Sequence, residues 1–132
     1  MKKFLFLIFG FLILAACSVI KTYDEIDYKK LNSMFKNKDS FILFINSDMC
    51  DECYKYGVTL NRAIDKYNVE VKAINLSLLS KKERSSLASV VSISAAPSLV
   101  FVEKGEEKDR ISGDVKYSKT VEKFKEYNYI KE

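Results

Sequence analysis

Two cysteines separated by two residues, in the stretch NSDMCDEC from Asn46 to Cys53, are the side chains of this chain best suited to chemistry. A thiol pair at that spacing can cycle between dithiol and disulfide, clip a metal, or staple the backbone. A closed tetrahedral metal site takes four ligands, and the 132 residues contain no histidine and no second cysteine pair, so neither a metal nor another cofactor is expected. Exchange chemistry needs a thiolate, whereas a free cysteine keeps its proton up to about pH 8.5. Cys50 therefore needs an environment that favours negative charge, and Asp48, Asp51 and Glu52 beside it work against that. Met49, directly before the pair, is an apolar side chain suited to filling a gap or facing a substrate rather than to holding copper.

The compartment decides whether a disulfide persists, and the N-terminus speaks to it. Lys2 and Lys3 precede an unbroken apolar run from Phe4 to Ala16, the pattern of a secretion signal. That run is shorter than the roughly 20 residues a bilayer span needs. It ends in Leu14-Ala15-Ala16-Cys17, which resembles a bacterial lipobox, so residues 1–16 are expected to be a signal peptide and Cys17 a lipid anchor rather than a catalyst. Cleavage leaves 116 residues, which fits a single domain. The basic count then falls from 22 to 20 against 18 acids, a net charge of +2. The lysines are interspersed with acids in KNKD, KKER and EKGEEKDR and form no basic stripe, so nucleic acid is not an expected partner. With Cys17 acylated, Cys50 and Cys53 are the only free thiols, in a compartment where disulfides last.

The elements that must position the pair follow from periodicity. Residues 17–22 form a short tether, and residues 23–132 the domain. Ile26, Leu31, Met34 and Phe35 recur at helical spacing, with Asp24 and Glu25 near the start of that helix and Lys36 and Lys38 near its end. Ser40 to Ile45 is apolar on both faces, as in a central strand. From Cys50, the residues Cys53, Tyr56, Leu60, Ile64 and Tyr67 mark one face of a second helix. A strand is expected over 69–76 and a helix over 80–91 with Leu87, Val90 and Val91 inward. Pro97, the only proline, precedes a strand over 98–102; Lys104-Gly105 turns into a strand over 107–112, and a closing helix covers 115–129. Tyr117, Tyr127 and Tyr129 are expected to pack half-buried. The order α, β, α, β, α, β, β, α places the cysteines at a strand-to-helix turn in an α/β fold with a central mixed sheet.

From about Ser40 to Tyr127 this arrangement resembles the thioredoxin superfamily. Cys50-Asp51-Glu52-Cys53 matches its active-site motif, Ala95-Ala96-Pro97-Ser98 its cis-proline segment before the penultimate strand, and Lys104-Gly105-Glu106 with Gly113 its terminal hairpin. NKDSFILFINSDMCDEC is similar to the small Gram-positive bacteriocin-transport-accessory-like branch. The resemblance implies that Cys50 attacks, that Cys53 resolves, that cis-Pro97 packs opposite them, and that the Ala96 backbone pairs with an extended substrate. Met49 is then a substrate-facing residue.

The chain also departs from that family's pattern. It has no tryptophan, Asp51-Glu52 stands where glycine-proline is usual, the position of a buried acid falls on Phe44, and the matching lysine on Ala73. The expected activity is that of a membrane-anchored, extracytoplasmic thiol–disulfide oxidoreductase. Its expected partners are protein or peptide disulfides and a membrane redox protein, and it is expected to act as a monomer. The alternative is a binding or chaperone-like module of the same fold whose disulfide is passive.

Overall fold

The computed structural model describes residues 19–131; the expected signal peptide, residues 1–16, and the expected lipid anchor Cys17 lie outside them. The sheet is built around Phe41–Asn46 (β2), six residues of which every one is buried. Parallel to it runs Lys72–Asn75 (β3), with Phe44 opposite Ala73 and Asn46 opposite Asn75. Antiparallel on its other side is Ser98–Glu103 (β4), which continues through a hairpin into Glu106–Ser112 (β5). Lys104 and Gly105 both adopt positive φ, the conformation of a two-residue hairpin turn matched to strand twist. Gly105 is required there for a second reason: a Cβ would meet the Phe35 carbonyl oxygen at 2.9 Å.

Alternation along the strands sends side chains into two cores. Ile42, Phe44, Leu99 and Phe101 face Asp51–Tyr67 (α2) and Tyr117–Glu126 (α4), whose Tyr56, Leu60, Ile64, Val121 and Phe124 close that side. Leu43, Ile45, Val100 and Val102 face Tyr28–Lys36 (α1) and Lys81–Ala88 (α3). A sheet covered on both faces explains why β2 is continuously apolar from Phe41 to Ile45 instead of alternating. Tyr56 is wholly buried, and its hydroxyl pairs with the Thr120 hydroxyl at 2.9 Å, joining α2 to α4. Burial holds its pKa up at about 12.

Several boundaries differ from the sequence expectation. Asp24–Glu25 is not the first turn of a helix but a fifth strand, β1, at the sheet edge in the order β1-β3-β2-β4-β5. It exists because Asp24 N–H donates to the Val71 carbonyl at 2.8 Å and Ile26 N–H to Ala73 at 2.9 Å. The helix starts only after Asp27, whose carboxylate caps it by accepting from Lys30 N–H at 2.7 Å. β3 is shorter than 69–76, because Asn68 in the left-handed region ends α2 and the chain needs Val69 to Val71 to return to the sheet. Leu76–Leu78 then forms a 3-10 turn. α3 stops at Ala88, where Ser89 Oγ donates back to the Ser86 carbonyl at 2.6 Å, so Val90 is exposed although Leu87 and Val91 are buried. β5 begins one residue early, at Glu106, and the last helix is shorter than 115–129.

α4 is fixed to β5 by a polar tie. Lys123 donates to Asp109 at 2.5 Å and Tyr127 donates to it at 3.1 Å, while the Tyr127 ring stacks on Phe101. The Lys123 bond holds the Asp109 carboxyl below the ordinary carboxylate range, and Asp109 in turn raises Lys123. A depressed carboxylate contributes stability above its unfolded pKa, near 4, and loses it as pH falls through the folded value. Urea midpoints should therefore drop between pH 5 and pH 3, and Asp109→Asn should flatten that slope while lowering the midpoint at pH 7.

Candidate active site

The pair sits where β2 hands over to α2. Met49 adopts φ 53°, a left-handed conformation uncommon outside glycine, and this turn throws its side chain fully into solvent. Met49 therefore fills no gap; of its two expected roles only the outward-facing one has the geometry. Cys50 is the N-cap of α2, with extended φ −119° and ψ 100°. Its sulfur accepts the Cys53 N–H at 3.2 Å, one of the donors a helix start leaves unpaired. The same donor that serves the disulfide sulfur would serve a Cys50 thiolate, and the helix dipole adds to it. Cys50 and Cys53 are joined as a disulfide, with their Cα atoms 5.2 Å apart. Cys53, one turn inside, is only 5% exposed, whereas Cys50 is half-buried.

The Ala95–Ser98 segment comes up from the opposite side. The Ala96–Pro97 bond is cis, Pro97 is buried, and the Ala96 carbonyl oxygen lies 3.9 Å from Cys50 Sγ. The segment is locked in place: Ser98 Oγ donates to the Ala95 carbonyl at 2.8 Å and pairs with Ser112 Oγ at 2.9 Å, while Gly113 N–H donates to the Pro97 carbonyl at 2.9 Å. The structure thus brings together Met49, Cys50, Cys53, Ala96 and Pro97, residues up to 48 apart in the chain. Beneath the pair, Phe44 faces α2 beside Ala73, so no carboxylate or ammonium stands at these two positions behind Cys53.

Sequence reasoning missed the polar latch of the approach loop. Ser77 Oγ accepts Asp48 N–H at 2.9 Å and pairs with Ser47 Oγ at 2.9 Å, and Asn75 donates to Asp48 at 2.9 Å. It also missed Asn46, a buried amide at the end of an apolar strand. The polar ending of FILFIN was the available signal.

The thioredoxin family model matches residues 21–126. The chain belongs to the thioredoxin family. Solved thioredoxins share its fold: that of Aeropyrum pernix is 24% identical, with a TM-score of 0.61 over 77% of this chain and 84% of its own. A thioredoxin from Nicotiana alata is 18% identical, with a TM-score of 0.64 over 86% and 97%. Thioredoxin f2 of Chlamydomonas reinhardtii is 15% identical, with a TM-score of 0.65 over 83% and 99%. With its CxxC pair, the protein is a thioredoxin-like thiol–disulfide oxidoreductase.

Two results test the electrostatics of the pair. In the reduced protein, iodoacetamide at neutral pH should modify Cys50 about tenfold or more faster than Cys53, because Cys53 is buried and Cys50 has the helix-start donor. Asp51 and Glu52 occupy the first turn of α2. Replacing them by asparagine and glutamine should move the pH midpoint of Cys50 alkylation down by about half a unit to one unit and make the protein more oxidising. An unchanged midpoint would mean that neither carboxylate reaches the sulfur.

Proposed function

We propose that this thioredoxin-family protein is lipid-anchored at Cys17 on the extracytoplasmic face of a bacterial membrane and exchanges disulfides with proteins or peptides. Attack begins with the Cys50 thiolate on one sulfur of a substrate disulfide, which forms a mixed disulfide and expels the other substrate sulfur as a thiolate. Cys53 then loses its proton to solvent and attacks Cys50 Sγ, forming the Cys50–Cys53 disulfide and releasing the second substrate sulfur. Two electrons pass from protein to substrate, and the reverse sequence oxidises a dithiol. The observation that carries this reading is the sulfur of Cys50 at a helix N-cap, 3.9 Å from the Ala96 carbonyl, where an extended substrate strand can pair with backbone. Met49, fully exposed beside it, meets that substrate. A membrane redox partner regenerates the pair, and the protein works as a monomer.

The anchor rests on the apolar run ending in LAAC and on the resemblance to small Gram-positive lipoproteins of the bacteriocin-transport-accessory-like type. Among the described residues no helix is long and apolar enough to cross a membrane. Cys17→Ala should abolish fatty-acid labelling and move the protein out of the membrane fraction. One observation favours the second reading, a module with a passive disulfide: the two sheet positions at which the family resemblance places an acid and a lysine hold Phe44 and Ala73, neither of which can accept a proton from Cys53. Exchange with a peptide disulfide decides between them. Turnover supports the oxidoreductase, and a disulfide inert to peptide and to small thiols supports the module.

A further inference from the structure

The chain that leads into the fold is held at one end of the molecule. Lys21 N–H donates to the Asp65 carboxylate at 2.9 Å, the Lys21 ammonium donates to Asn68, and Tyr23 N–H donates to the Asn61 side chain at 3.0 Å. Asp65 lies in the last turn of α2 and Asn68 is its C-cap. Beyond them β1 continues the attachment along β3, so the chain is fixed from Lys21 onward. Cys50 stands at the other end of the same helix, as its N-cap. The 17 residues of α2 separate the two ends by about 25 Å at a rise of 1.5 Å per residue.

Two apolar side chains precede the first fixed residue. Val19 is 85% exposed and Ile20 70%, so the fold does not cover them. They follow Cys17 almost directly: only four residue steps separate it from Lys21, a reach of about 14 Å when fully extended. Beside an acyl chain the nearest apolar medium is the bilayer, and burying these two side chains at its interface uses up the slack of the tether.

We propose that Val19 and Ile20 enter the bilayer interface beside acylated Cys17, so that the domain stands on the C-terminal end of α2 and turns Cys50 away from the membrane. The proposal rests on the reading that Cys17 is the anchor. It selects substrates and the redox partner by position. Their reacting sulfurs must belong to a soluble polypeptide or to a segment projecting about the length of α2 from the bilayer, and a disulfide at the membrane surface is out of reach.

The chain has no tryptophan, so a single introduced one reports its own depth. In the full-length acylated protein on vesicles of phosphatidylcholine and phosphatidylglycerol, brominated acyl chains should quench Ile20→Trp by about half or more. Tyr54→Trp, an exposed position in the first turn of α2, should lose less than about a tenth of its emission. Equal quenching at the two positions would overturn the proposal, and so would an unquenched Ile20→Trp. Exchange gives the second readout, with two peptide disulfides coupled to a lipid headgroup, one through a short linker and one through a polyethylene glycol spacer longer than α2. The reduced protein should attack the long-linked peptide about tenfold faster or more. A flexible Gly-Ser segment of about 20 residues inserted between Ile20 and Lys21 should erase that difference and leave the rate with a soluble peptide unchanged. Equal rates for the linked peptides in the native chain would overturn the proposal. So would a difference that survives the insertion, which would assign it to the linker alone. No exchange even with the soluble peptide would sink the oxidoreductase reading, with the quenching still deciding the orientation. A protein that stays off the vesicles would sink the anchor reading, and the orientation with it.

Discussion

Replacing Cys50 with serine should abolish turnover of a peptide disulfide, with a loss of about a thousandfold or more, because no other exposed thiol stands at the helix start to carry the attack. Cys53→Ser should behave differently. The first attack remains possible, since Cys50 keeps its place at the N-cap, and the backbone N–H of residue 53 that donates to its sulfur survives the substitution. The second step is lost, so a Cys50–substrate mixed disulfide should accumulate and be visible by mass spectrometry. The burial of Cys53 predicts the long life of that adduct, because the alternative resolving thiol must come from solvent. Trapping on residue 53 in a Cys50→Ser protein, with none on Cys50 in the Cys53→Ser protein, would reverse the two roles. The same pair of variants separates the enzyme from a passive module, in which neither forms adducts.

Phe44→Ala should be the most damaging single change in the core, at about 3–5 kcal/mol, out of the roughly 5–15 kcal/mol by which a domain of this size is stable. Phe44 is completely buried at the centre of the sheet, opposite Ala73 on one side and Leu99 on the other. Its ring meets Tyr23 edge-on at 5.1 Å and Tyr56 at 5.8 Å, so its removal leaves a void between β1, the sheet and α2 that strand backbone cannot close. Urea unfolding gives the number, and a loss below about 1 kcal/mol would show that the site collapses around the missing ring. Phe44→Asp should be worse than Phe44→Ala. The adjacent position is Ala73, with no cation to pair with a buried carboxylate. The position that the family resemblance assigns to an acid is here occupied by packing, and the aromatic contacts with Tyr23 and Tyr56 give the physical reason.

What could be read from the sequence was what local forces decide. The five consecutive apolar residues of β2, Phe41 to Ile45, read as a strand buried on both faces, the Lys104-Gly105 turn declares its hairpin, and the cysteines fall where a polar turn meets a helical stripe. Those signals act over a few residues, and they were enough to order most of the fold around the pair. The edge strand β1 was not legible: two exposed acids carry no strand signal, and the strand exists only because the backbone of residues 71 and 73 lies beside it. The approach of Ala96 to Cys50 spans 46 residues and depends on β4 entering the sheet next to β2, although the resemblance foretold it. The cavity beside the pair was legible only in part, through Asp48 and Asp51, which flank Cys50 in the sequence. Its lining comes from β1, from the end of β2 and from the start of α2, and a burial that leaves Asn46 without a partner is a property of the packed sheet, not of any stretch of chain.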